Sequence, residues 1–161
     1  MAQIIPDTEN ISAIANFREE IISKRSGEVL LEIKRLIPSD NIDAQNKTDI
    51  VNSFVMQLGY ADIGDRWKQI NRESAQKILN FILTKNLAYS EASMTITDAE
   101  KIVDRFMSVF QDNCQFFTNA IFSNNYSSLA EWDSITESTF DTGVVIVSNQ
   151  RIGILWVQDE D

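Results

Sequence analysis

Histidine is missing from this chain altogether. That removes the commonest general base, the usual activator of serine and cysteine nucleophiles, and the commonest transition-metal ligand. Cysteine occurs once, at Cys114, so no internal disulfide can form. No glycine-rich phosphate loop, G-x-S-x-G elbow, C-x-x-C pair or H-E-x-x-H occurs among the 161 residues. The longest apolar runs, 144–147 and 152–157, fall far short of the ~20 residues that cross a bilayer. No basic, apolar leader precedes Asp7, so a reducing cytoplasm is the expected compartment. Basic residues are also scarce: the net charge is −10 and the pI about 4.4. Phosphate backbones need cationic side chains to neutralise them, so nucleic-acid binding is excluded as an expectation.

What is present has ordinary globular proportions, 43% hydrophobic and 24% charged. No repeat, low-complexity tract or linker divides the chain, and the expectation is a single domain over 1–161. Ile4 and Ile5 are placed to add an edge strand or to pack over a helix end. Asp7 or Thr8 offers a helix cap, and Ile11, Ile14, Arg18, Ile21 and Ile22 mark one helical face, with Lys24 and Arg25 suiting the C-terminal end of the dipole. After Ser26-Gly27, the spacing of Val29, Leu30, Ile33, Leu36 and Ile37 predicts a second helix stopped by Pro38. A polar connection over Ser39 to Gln45 leads to a helix carrying Ile50, Val51, Phe54, Val55 and Leu58, closed by Gly59. Another follows from Arg66 or Asn71 to Leu87, with Trp67 on its first turn. Thr97-Asp98-Ala99-Glu100 matches a capping box, and Val103, Phe106, Met107, Phe110, Cys114, Phe117 and Ile121 extend it into a predicted helix of about six turns.

The end of the chain reads differently. Asn149-Gln150 as a two-residue turn makes residues whose numbers sum to ~299 face each other in an antiparallel hairpin. Val147 then opposes Ile152, Val145 opposes Ile154 and Gly143 opposes Trp156 on one face; Ile146 opposes Gly153 and Val144 opposes Leu155 on the other. Both faces are apolar, and a strand with one face in water alternates, so something must cover the second face. The expected fold is therefore α+β: a mainly helical domain (about 7–132) with a C-terminal antiparallel hairpin (about 136–157).

The clearest charged constellation is Glu131, Asp133, Glu137 and Asp141 before the hairpin, with Asp159, Glu160 and Asp161 at its end. In an extended strand Asp133, Glu137 and Asp141 share a face. Glu131, Asp133, Glu137, Asp141, Asp159 and Glu160, with Trp156, are the candidate partner-binding residues. Their spacing matches no calcium or magnesium loop, and no catalytic, metal or cofactor residues are assigned. Cys114, with no histidine to activate it, reads as a core residue. Thr118, Asn119, Asn124, Asn125 and Tyr126 form a polar stretch of the kind that satisfies terminal carbonyls.

The functional expectation is a non-enzymatic cytoplasmic interaction protein, of immunity or regulatory type, that binds a basic protein partner and uses no cofactor, nucleic acid or membrane. The alternative is a small-ligand-binding protein or a histidine-free enzyme working through paired carboxylates. Dimerisation through the hairpin is a third expectation.

Overall fold

The computed structural model describes residues 3–37, 47–89, 91–110 and 113–160. Along them run β1 (Gln3–Pro6), α1 (Ile11–Lys24), β2 (Glu28–Ile37), α2 (Lys47–Gln57), β3 (Lys68–Ile70), α3 (Arg72–Thr84), α4 (Ile96–Ser108), β4 (Gln115–Thr118), β5 (Ala120–Ser123), β6 (Ser128–Trp132), β7 (Phe140–Val147) and β8 (Arg151–Asp159). Six strands make one antiparallel sheet in the order β1-β2-β8-β7-β4-β3, and β5 pairs with β6 separately. The chain is 35% helix and 34% strand, so the expectation of a mainly helical domain is overturned.

Two predicted helices account for the difference. Residues 28–37 form β2, paired with β8 from Glu28↔Gln158 to Arg35↔Arg151. Val29, Leu31 and Ile33 pack on one side of the sheet, Leu30 and Leu36 on the other. A strand buried on both faces is a nearly continuous apolar run, which periodicity does not distinguish from a buried helix. The six-turn helix divides likewise. Its true cap is Thr95, whose hydroxyl accepts from Asp98 N–H at 3.2 Å, two residues before the expected box. The helix ends at Ser108, and Asn113 takes a left-handed φ of 64° before β4. Phe116 and Phe117 then point to opposite faces of the sheet, as successive strand residues must. The polar stretch expected at the helix end is instead the β4–β5 junction and the β5–β6 turn, where Asn124, Asn125 and Tyr126 all have positive φ.

Other expectations hold in part. Ile4 and Ile5 do form an edge strand, beside β2. Helix α1 is capped at Asn10 instead of Asp7 or Thr8. Helix α2 buries Ile50, Val51, Phe54 and Val55, with Gly59 at φ 91° beyond its end. Asn71 caps α3 by accepting from Ser74 N–H at 2.8 Å. Trp67 precedes β3, not the first turn of α3; it is buried and donates to Asn52 at 2.6 Å. Cys114 is half-buried against the core. The connection Ser39 to Gln45, with Pro38, lies outside the described residues.

The hairpin register is the expected one, from Phe140↔Asp159 to Val147↔Ile152, with Gly143 opposite Trp156. Ser148 N–H closes the turn on Arg151 O at 2.9 Å. A methyl at Gly143 would sit 2.7 Å from Trp156 Cα and against Leu155 O, so only glycine fits there. The hairpin is no appendage, because β2 and β4 flank it in the middle of the sheet. Val144, Ile146, Leu155 and Val157 pack under α1, α3 and α4, while Val145, Val147, Ile152, Ile154 and Trp156 pack under α2 and Trp67. The chain itself covers both faces, each buried aliphatic contributing about 1.5–3 kcal/mol.

Candidate functional site

The candidate carboxylates separate by depth. Asp141, at the start of β7, is fully buried. Its Oδ1 accepts from Ile135 N–H and from the Trp156 indole N–H, each at 3.1 Å, and its Oδ2 accepts from the Thr136 hydroxyl at 2.8 Å. Asn119, also buried, extends the network: its amide donates to Asp133 O and Asp141 O, and its carbonyl accepts from the Thr142 hydroxyl at 2.7 Å. Thr118 donates to Gly143 O at 2.7 Å. These side chains do satisfy carbonyls, at a strand junction instead of a helix end. Asp141 thus holds the 133–140 loop onto the hairpin, and Trp156 is its donor, inside the core.

Asp159 is buried in an ion pair with Arg25, at 2.7 and 3.1 Å, and accepts from Leu87 N–H at 2.9 Å. Arg25 also donates to Ile82 O and Lys85 O, so one guanidinium ties the end of α1 to the end of α3 and to β8. Sequence reasoning gave Arg25 only a dipole role. Gly27, at φ 82°, makes room beside it, since a side chain there would strike Asp159 Oδ1 and Arg25.

The remaining candidates lie at the surface, at the end of the sheet away from the 149–150 turn. Glu131 and Glu137 are exposed, and Asp133 is half-buried and paired with Arg66 at 3.0 Å. Glu160 accepts from the Thr139 hydroxyl and from Thr139 N–H at 3.1 Å, and these bonds, the hydroxyl's first, hold its carboxyl below the ordinary glutamate value. Asp161 lies outside the described residues. Topology adds neighbours that sequence spacing did not connect. Exposed Glu28 stands opposite Gln158 at the start of β2, and the loop carrying exposed Asp62 and Asp65 is joined to Ile135 through Ala61 N–H. Exposed Glu91 bonds through its carbonyl to Asn86, beside the Leu87–Asp159 contact. Lys68, Lys85 and the paired Arg66 are cations at this end. Reading 28–37 as a helix had hidden Glu28 from the cluster. At the opposite end, cations gather: Arg35 pairs in register with Arg151, and Lys34 with Pro6.

Three of the surface clefts bear on the expectation of paired catalytic carboxylates. One, of about 450 Å³ beside Trp132, is lined by Lys68, Asn119, Ile121, Glu131, Trp132 and Asp133. The other two flank α1. Asp141 and Asp159 line none of them and spend their oxygens on the protein's own donors. Among the described residues no group of three or more Cys, Asp or Glu is placed to hold a metal ion, and no helix is long and apolar enough to cross a membrane. Among the described residues, both edges and both faces of the hairpin are occupied within the chain. No family model, curated protein or solved structure matches this chain.

Proposed function

We propose that this chain is a non-enzymatic, cytoplasmic protein-binding domain that docks a basic protein partner on the acidic end of its sheet, acting in a regulatory or toxin-neutralising role. The observation that carries the reading is the gathering there of exposed Glu28, Asp62, Asp65, Glu91, Glu131, Glu137 and Glu160. A surface of one sign steers the opposite sign into contact and raises association rates in a salt-dependent way. The deeper carboxylates support the same reading, since Asp141 and Asp159 rigidify the surface from below. Candidate contacts reduce accordingly to Glu131, Asp133, Glu137 and Glu160, because Asp141, Asp159 and Trp156 are inside.

The test begins with capture of a partner from the native host, followed by quantitative binding of that purified partner. Wild type is compared with E28K/E137K/E160K and with E19K, a reversal on exposed α1. A basic partner whose association slows about tenfold or more in the triple variant and in raised salt, but not in E19K, is expected. Recovery of no basic partner, or binding indifferent to salt and to the triple reversal, overturns the proposal.

A further inference from the structure

At the other end of the sheet, α1 and the last turn of α4 enclose a cleft of about 280 Å³. Ile14, Phe17, Ile33 and Val109 give it an apolar wall, and Arg105 and Arg151 stand in its polar wall. Asp7 is the acidic side chain in the lining, so two guanidiniums face one carboxylate in a chain of net charge −10. An apolar hollow with a few convergent polar groups is the form that small-ligand sites take.

The donor inventory shows what the polar wall can hold. A guanidinium carries five N–H donors. Arg151 spends Nε on Asp7 at 3.2 Å and one N–H of Nη1 on Val109 O at 3.4 Å. Arg105 pairs through Nη1 with Glu20, which is not in the lining, and lies over the Phe17 ring at 4.3 Å. Among the described residues the Nη2 of each arginine is uncommitted. The Asp7 oxygens, by contrast, are engaged by Asn10 at 3.0 Å and by Arg151. Asp7 therefore acts as a brace that fixes the Arg151 fork, and the cleft offers spare donors beside an apolar wall.

We propose that this cleft binds a small organic acid, its carboxylate held by Arg105 and Arg151 and its apolar body lying on Ile14, Phe17 and Val109. Planar guanidinium forks suit a carboxylate in a two-point contact. The volume falls just below the ~300–1,000 Å³ range of drug-sized ligand pockets, which limits the ligand to a single ring or a short chain. The site is remote from the acidic end and independent of the protein partner proposed there.

Benzoate and hexanoate are the probes, titrated into the full chain and followed by NMR shifts of the α1 and α4 amides, with benzamide as the neutral isostere and phenyl phosphate as the other anion. Saturable millimolar or tighter binding of benzoate is expected, at least about tenfold weaker for benzamide, as charge-assisted bonds are lost. Arg105 is more than half exposed, so R105M keeps the fold while weakening benzoate about tenfold. A13F, at an exposed position in the cleft lining, should abolish binding by filling the space. The triple variant E28K/E137K/E160K should bind benzoate as wild type does. Absence of saturable binding by both acids, equal affinity for benzamide, or unchanged binding in R105M and A13F overturns the proposal; tighter binding of phenyl phosphate than of benzoate overturns the carboxylate assignment.

Discussion

Replacing Asp141 tests whether the hairpin is anchored by a buried carboxylate. In D141A the N–H of Ile135 and the indole N–H of Trp156, both in buried residues, lose their shared acceptor at 3.1 Å. Each orphaned buried donor costs about 1–3 kcal/mol, so the pair costs about 4 kcal/mol. Thr136 is half-buried, and its hydroxyl can turn to water, which adds little. D141N behaves differently. Its carbonyl oxygen can stay on Ile135 and Trp156, and its new N–H₂ faces the Thr136 hydroxyl, which can rotate to accept. What is lost is the charge assistance and the long 3.4 Å contact from Thr136 N–H, together about 1–2 kcal/mol. The assay is urea unfolding followed by tryptophan fluorescence. At about 2 kcal/mol per M urea, D141A moves the midpoint down by about 2 M and D141N by about 0.5–1 M. Equal losses in the two variants, or a D141A cost below about 1 kcal/mol, would refute the anchoring role.

Three further outcomes follow from the same geometry. R25M should lose about 3–5 kcal/mol by leaving Asp159 buried and unpaired, and R25M/D159L should recover part of it; additive losses in a double-mutant cycle would show no coupling. G143A should destabilise far more than G153A, because the first methyl meets backbone at Leu155 O and Trp156 Cα while the second meets the Phe110 ring, and comparable melting temperatures would contradict this. Glu160 should titrate below the ordinary glutamate range by NMR, and T139A, which removes the hydroxyl donor, should raise its midpoint. A carboxyl with a lowered folded-state pKa stabilises above its unfolded value and loses that contribution as pH falls through the folded value, so any stability difference between wild type and T139A vanishes in acid.

The hairpin was legible because its register follows from local rules. A two-residue turn and a glycine opposite an indole select the observed pairing over the register a longer turn would give, and apolar residues on both faces require cover on both. Residues 28–37 were misread because the same two-sided burial that makes β2 a central strand puts apolar residues at Val29, Leu30, Ile33, Leu36 and Ile37, a spacing that also suits a helix. The i+11, i+14 and i+18 positions of the predicted long helix were a coincidence of phase: Cys114, Phe117 and Ile121 continue the stripe of α4 although the helix stops at Ser108. Nothing within a few residues of Phe110 distinguishes stopping from continuing. The pairing of β4 with β7, 30 or so residues away, stabilises the strand, and such non-local contacts are outside the reach of periodicity.

The acidic constellation shows the same division between local and non-local information. Strand period placed Asp133, Glu137 and Asp141 on one face, but burial sends them to different fates. Asp141 is buried with five donors around it, Asp133 has Arg66, and Glu137 faces solvent. A carboxylate that already satisfies buried donors gains nothing from a cationic partner, since binding would first have to orphan those donors. A carboxylate in solvent gives up only hydration. A basic partner is therefore expected to engage the exposed Glu131, Glu137 and Glu160, with Glu28 and the 62–65 loop beside them. Charge reversal at Glu28, Glu131 and Glu137 should alter association without altering stability, whereas substitution at Asp141 or Asp159 should alter stability first.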